Sequence, residues 1–101
     1  MDKRIHELLL KLRGCPGIYV GKKSLDKLAT FVCGYVQCLS EIDGVEPVFL
    51  AGFQEYVEEY YHLNDNAYLI RNWTGIITFF STTEEEAFDK FYEILGQFLS
   101  Q

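Results

Sequence analysis

What this chain lacks narrows its chemistry before any motif is considered. No apolar run approaches the ~20 residues that a membrane-spanning helix needs. The opening Met1-Asp2-Lys3-Arg4-Ile5-His6-Glu7 holds no hydrophobic segment of a secretory leader, so a cytoplasmic protein with no membrane partner is expected. Histidine is scarce: His6 and His62 stand alone, and neither accompanies a Ser or Cys in a recognisable nucleophile motif. Cys15, Cys33 and Cys38 show no C-x₂-C spacing and no His-x₃₋₅-His companion, so no metal and no cofactor is expected. Three cysteines cannot all pair. Cys33 and Cys38, on one helix, point about 140° apart around it and cannot bridge while it is intact. Buried structural thiols are the expectation for them. Cys15 beside Arg13 is the one place for an activated thiol, a reading set aside because loop cysteines of this kind are commonly inert.

Positive charge is missing from most of the chain. Residues 1–30 carry seven Lys or Arg against three Asp or Glu, for +4; residues 31–101 carry two against twelve, for −10, which gives the overall −6. The acidic part repels phosphates, which removes nucleic acid from the expected partners. A basic protein is its electrostatic complement.

What is present supports a packed helical protein. A hydrophobic fraction of 49% with 16% aromatics argues against disorder. At this length one domain buries roughly 60–70% of its unfolded surface, enough for a core without disulfides. The expected fold is all-α: a single domain over 1–101, built as a bundle of about five helices with a structured Pro-Gly-x-Tyr-x-Gly loop between the first and second.

Asp2 caps a first helix whose Ile5, Leu8, Leu9 and Leu12 share a face, ended near Arg13 by Gly14 and Pro16. From Arg13 to Lys23 a loop is expected, with Ile18-Tyr19-Val20 extended between glycines able to take positive φ. Ser24 suits the N-cap of a long second helix, with Asp26 at its positive end and no reciprocal Glu or Gln at Lys27. Leu25, Leu28, Val32, Tyr35, Val36 and Leu39 recur at helical spacing, and Phe31 and Cys38 widen the stripe, so this helix is expected in the middle of the domain. Gly34 is expected to admit a close neighbour. Asp43-Gly44 is a turn signal. Pro47 suits the first turn of a third helix with Phe49, Phe53, Tyr56, Val57 and Tyr60 inward and Gln54, Glu55, Glu58 and Glu59 toward water. Asn64-Asp65-Asn66 reads as a turn.

Residues 73–80 fit either a short helix capped by Asn72 or a strand; the helix is preferred because no convincing second strand is available to pair with it. In the last helix Thr82 or Thr83 with Glu85 or Glu86 offers two capping-box registers, and Glu86 pairs with Lys90 at i, i+4. A single core is expected to contain Leu28, Val32, Val36, Trp73, Ile77, Phe88, Phe91 and Leu95.

Gly21-Lys22-Lys23-Ser24 ends like a phosphate-binding loop but fails its spacing, since an extra Lys precedes Ser24 and Pro16 stands where the first Gly is required. A weaker anion site made of Gly21, Lys22, Lys23 and Ser24 at the helix start remains as the alternative function, a small anionic-ligand or nucleotide-phosphate binding module. Arg13 followed by Pro16-Gly17-Ile18-Tyr19-Val20-Gly21 resembles a stretch of type II topoisomerase ATPase domains. The Glu base and magnesium-binding Asn that such a resemblance requires on the following helix are absent between Leu25 and Leu39, so it is read as convergence on a glycine-bounded turn. Glu84-Glu85-Glu86 is explained by the helix dipole rather than by a metal.

The remaining signal is a combination, acidic residues interleaved with tyrosines from Gln54 to His62. Tyrosine offers contact area at low entropic cost and carboxylates steer a basic partner, so Glu55, Glu58, Glu59, Tyr61 and Asp65 are the candidate contacts.

The pattern Pro16-Gly17-x-Tyr19-x-Gly21-x-x-Ser24-Leu25-x-x-Leu28-x-x-Phe31-x-x-Gly34-Tyr35, then Phe53 to Tyr60, Trp73-x-x-Ile76-Ile77 and Glu86-Ala87-Phe88-x-x-Phe91, resembles small bacterial proteins of toxin–immunity loci such as contact-dependent inhibition systems. In general form it is also similar to the small acidic helical immunity proteins of nuclease colicins, whose toxin-binding face carries a Tyr-Tyr pair matched here by Tyr60-Tyr61. The resemblance implies a non-catalytic immunity-type protein that binds a basic bacterial toxin domain.

Overall fold

The computed structural model describes residues 2–63 and 72–101. Among them six helices and no strand are formed: α1 (Lys3–Gly14), α2 (Pro16–Val20), α3 (Leu25–Asp43), α4 (Phe53–Tyr60), α5 (Trp73–Phe79) and α6 (Glu84–Leu99). The expected all-α class holds. The chain divides into two compact units, Met1–Leu50 and Ala51–Gln101. The first contains α1 to α3 and the second α4 to α6.

In the first unit, the Asp2 carboxylate accepts from the Arg4 N–H at 2.8 Å and opens α1. Ile5, Leu9 and Leu12 are buried on the expected face and Leu8 is half-buried. Arg4 also reaches Asp43 at the end of α3, where a carboxylate otherwise meets the negative pole of that helix. Its side-chain hydrogen bond to Asp2, ahead of the bond from its backbone, holds that carboxyl below the ordinary value. Ser24 caps α3 by accepting from the Lys27 N–H at 3.3 Å, and Gly44, left-handed at φ 69°, closes it with its N–H on the Ser40 carbonyl. Leu25, Leu28, Val32, Val36 and Leu39 are the residues that α3 buries.

Several local expectations for this unit are corrected. Ile18-Tyr19-Val20 is not extended: Pro16 occupies the first helical position, where its fixed φ is already helical and its missing N–H is not needed, and α2 runs to Val20. Of the two flanking glycines only Gly21 takes positive φ, at 85°. Nor is α3 wrapped on most sides. Phe31 is 39% exposed and Ile42 71%, and Cys15, Cys33 and Cys38 are all exposed, so the expectation of buried thiols fails. The cause is angular, because Cys33 and Cys38 fall outside the arc set by Leu25, Leu28, Val32, Val36 and Leu39, and one packed face suffices for a surface helix. A Cβ added at Gly34 would meet nothing within 4 Å, so this glycine admits no close neighbour.

The second unit is organised by Phe53, which is fully buried. Its ring stands edge-on to Trp73 at 5.2 Å, Phe91 at 5.8 Å and Phe98 at 5.3 Å, joining α4 to α5 and α6. Trp73 in turn stacks on Phe91 at 5.2 Å. Val57, Ile76, Ile77, Ala87, Phe88, Ile94 and Leu95 complete this core. Helix rather than strand at residues 73–79 agrees with the sequence reading: the Asn72 side chain accepts from the Gly75 N–H at 2.9 Å. Of the eight residues expected in the core, Trp73 alone is half-buried and the rest are buried.

Three further details differ from expectation. α4 starts at Phe53 rather than near Pro47, because Gly52, left-handed at φ 83°, forms the N-cap and blocks helical continuation upstream. Gln54 does not point to water; its side-chain oxygen accepts from the Trp73 N–H at 2.7 Å and satisfies an amide at the start of α5. Glu86 does not pair with Lys90. Thr83 accepts from the Glu86 N–H at 3.1 Å while the Glu86 carboxylate turns back to the Thr82 hydroxyl and N–H, so both predicted capping threonines act together. Lys90 then binds Glu93 at 2.8 Å.

Candidate functional site

Helix α4 sorts its residues by face. Phe53 and Val57, four apart, are buried, and that register leaves Glu55 and Glu59 exposed, with Glu58 half-buried. Tyr56, Tyr60 and Tyr61 are neither core nor fully exposed: all three are half-buried. Each is held by another ring. Tyr56 packs edge-on to Phe98 at 5.3 Å, Tyr60 edge-on to Tyr61 at 4.9 Å, and Tyr61 lies flat on Phe80 at 4.6 Å with 9° between planes. Burial, followed by the neighbouring Tyr60, raises the Tyr61 phenol above its ordinary pKa, so it stays a neutral donor at physiological pH.

The end of α4 is closed by an unusual residue for the job. The Leu63 N–H reaches the Glu58 carbonyl at 2.8 Å and the His62 N–H reaches the Glu59 carbonyl at 3.0 Å, the paired bonds of a Schellman cap. The left-handed position in that cap belongs to glycine by steric preference, yet here His62 occupies it at φ 59°. Tyr56, Glu59, Tyr60 and His62 line an open depression of about 380 Å³. No signal in the sequence singled out His62 or Tyr56 for this place; the tyrosines were legible, but a left-handed histidine is visible only once the cap is formed.

Glu55, Glu58, Glu59 and Tyr61 thus share α4 and its C-cap, whereas Asp65 lies outside the described residues. The alternative site is placed at the junction of α2 and α3. Gly21 and Lys22 are exposed and Lys23 half-buried, while Ser24 is 3% exposed with its hydroxyl committed to the Lys27 N–H. That bond takes up one of the amides an anion would use at this helix start. Among the described residues no group of three His, Cys, Asp or Glu side chains is arranged to hold a metal ion, and no helix is long and apolar enough to cross a membrane. No protein-family model, curated protein or solved structure matches this chain.

Proposed function

We propose that this chain is a non-catalytic protein of the immunity type, which neutralises a bacterial toxin domain in the cytoplasm by seating it on the acidic, tyrosine-bearing face of α4. One observation carries the reading. Glu55 and Glu59 stand exposed on a helix whose tyrosines are braced by other rings, in a unit with nine acidic residues against two basic ones, a formal −7. Braced tyrosines supply contact area that loses little freedom on binding, and the field favours a basic protein over nucleic acid. Covering a toxin's active site or its assembly surface needs no catalytic residue, in keeping with a chain whose histidines and thiols form no nucleophile motif.

The test is to read the genes beside this chain's own for a basic toxin domain and to measure its capture by the chain, with association rates followed as salt is raised; a neighbourhood of metabolic genes alone would count against the reading. Association is expected to be fast at low salt and to slow as screening sets in. The double substitution Glu58→Lys with Glu59→Lys should weaken binding by about tenfold or more and leave the melting temperature nearly unchanged, since like charges across an interface cost several kcal/mol while both side chains lie outside the core. Undiminished binding by that variant would end the reading. Lys22→Ala with Lys23→Ala forms the opposite arm: loss there, and none on α4, would move the function to the start of α3.

A further inference from the structure

We infer that the depression at the C-terminal end of α4 is a socket for a single guanidinium group, so that the partner proposed above is anchored by one arginine side chain. The inference rests on that reading of α4 and makes it specific. Its lining is Tyr56, Glu59, Tyr60 and His62, two phenol rings, an imidazole and a carboxylate. Aromatic faces attract cations through their quadrupole, and a planar guanidinium stacks on them while presenting N–H donors to a carboxylate; an ammonium offers only a compact charge. At about 380 Å³ and open to solvent, the depression has room for a whole arginine side chain entering from a partner's surface.

Two features make the socket preorganised. Tyr56 and Tyr60 are each braced edge-on, by Phe98 and by Tyr61, and Tyr61 is itself stacked on Phe80, so the walls lose little freedom when the site fills. His62 is held in a left-handed conformation by the two cap hydrogen bonds, where glycine would close the helix with less strain. A side chain kept at such a position is the kind of local cost that collects at binding sites. The Glu59 carboxylate is exposed. It also sits in the unit of formal −7, which raises the local concentration of cations.

The experiment needs no toxin. The full chain is titrated with N-acetyl-arginine N-methylamide, with the lysine analogue, and with the citrulline analogue, which has nearly the same shape and no charge, while backbone amide resonances are followed by NMR. Saturable shifts centred on Glu59 to His62 are expected for the arginine probe, weaker ones for lysine and none for citrulline. Glu59→Gln should loosen the arginine probe by about three- to fivefold, and Tyr60→Leu, which keeps apolar bulk and removes the ring face, by a similar factor, each with the circular dichroism spectrum unchanged. Equal response to citrulline, or no saturable shift at these residues, would overturn the socket. Toxin capture that persists unaltered in Glu59→Gln would remove the socket and leave the immunity reading standing. Arginine-probe binding in a chain that captures no toxin would do the reverse.

Discussion

Replacing Phe53 by alanine tests the architecture of the second unit at its most connected point. The ring is fully buried and meets Trp73, Phe91 and Phe98 at 5.2, 5.8 and 5.3 Å, so its removal leaves three edge-on contacts without a partner. Phe→Ala in a core costs about 3–5 kcal/mol, and these rings have little freedom to collapse into the gap because each is fixed by a second neighbour. The unit from Ala51 to Gln101 has 51 residues. At roughly 0.05–0.15 kcal/mol per residue its whole stability is about 3–8 kcal/mol. The variant should therefore retain a small margin or none. Trp73, the only tryptophan, stacks against Phe91 within this core, and its fluorescence in a urea titration reports the unit directly. With a urea slope of about 1 kcal/mol per molar for so small a unit, the midpoint should fall by about 3 M or vanish. Phe53→Leu, which keeps most of the volume, should lose only about 1–1.5 kcal/mol. A midpoint for Phe53→Ala within about 1 M of the parent would refute the assignment of Phe53 as the centre of this core.

Other perturbations have equally definite outcomes. Gly34→Ala should stabilise the chain by about 0.4–1 kcal/mol in thermal unfolding, since the added methyl meets open space in the interior of a helix; destabilisation would mean that something does approach that face. His62→Gly should raise stability by up to ~1 kcal/mol, the relief of left-handed strain exceeding glycine's extra entropy, while weakening any ligand that uses the imidazole. All three thiols should react with a thiol reagent under native conditions, and single Cys→Ser changes should shift stability by no more than about 0.5 kcal/mol. The hydrogen bonds from Thr82 lower the Glu86 pKa below its ordinary value. A carboxyl depressed in the folded state stabilises above its unfolded pKa, so this contribution should be intact at neutral pH and disappear as pH falls through the folded value, with Thr82→Val abolishing the shift in an NMR titration.

Most of the fold was legible because it is written in local code. Asp2, Ser24, Asn72 and Thr83 each accept from an amide two or three residues on, a relation that depends on nothing beyond the next turn of chain. Gly44 closes α3 for the same reason. What escaped was set by competition between local options or by tertiary contact. Pro16 permits both an extended segment and the first turn of a helix, and the helix prevailed. Glu86 had a lysine four residues ahead and a threonine cap four behind, and closed on the cap. Gln54 looks like any surface glutamine until the N–H of Trp73, nineteen residues later, arrives beside it. For α3, apolar content does not translate into burial: Phe31 and Cys38, which widen its apolar stripe, are exposed, as much of any protein's apolar surface is. At the candidate site, the acidic and tyrosine content was visible in the sequence, whereas the ring-to-ring bracing and the left-handed His62 belong to the folded chain alone.

The register of α4 also bears on how this protein can change over generations. Phe53 and Val57 hold the unit together from one side of the helix while Glu55 and Glu59 stand on another, and neither carboxylate contributes to the core. Substitution at the two glutamates alters what the helix displays without altering what it packs against, and surface changes of that kind shift stability by only about 0.5 kcal/mol. Whatever α4 meets, its preference is free to drift one residue at a time along a line of folded intermediates. Tyr56 and Tyr60 have no such liberty. They face the depression and lean on other rings at once, so innovation in this lineage should pass through the acidic positions first and reach the tyrosines last.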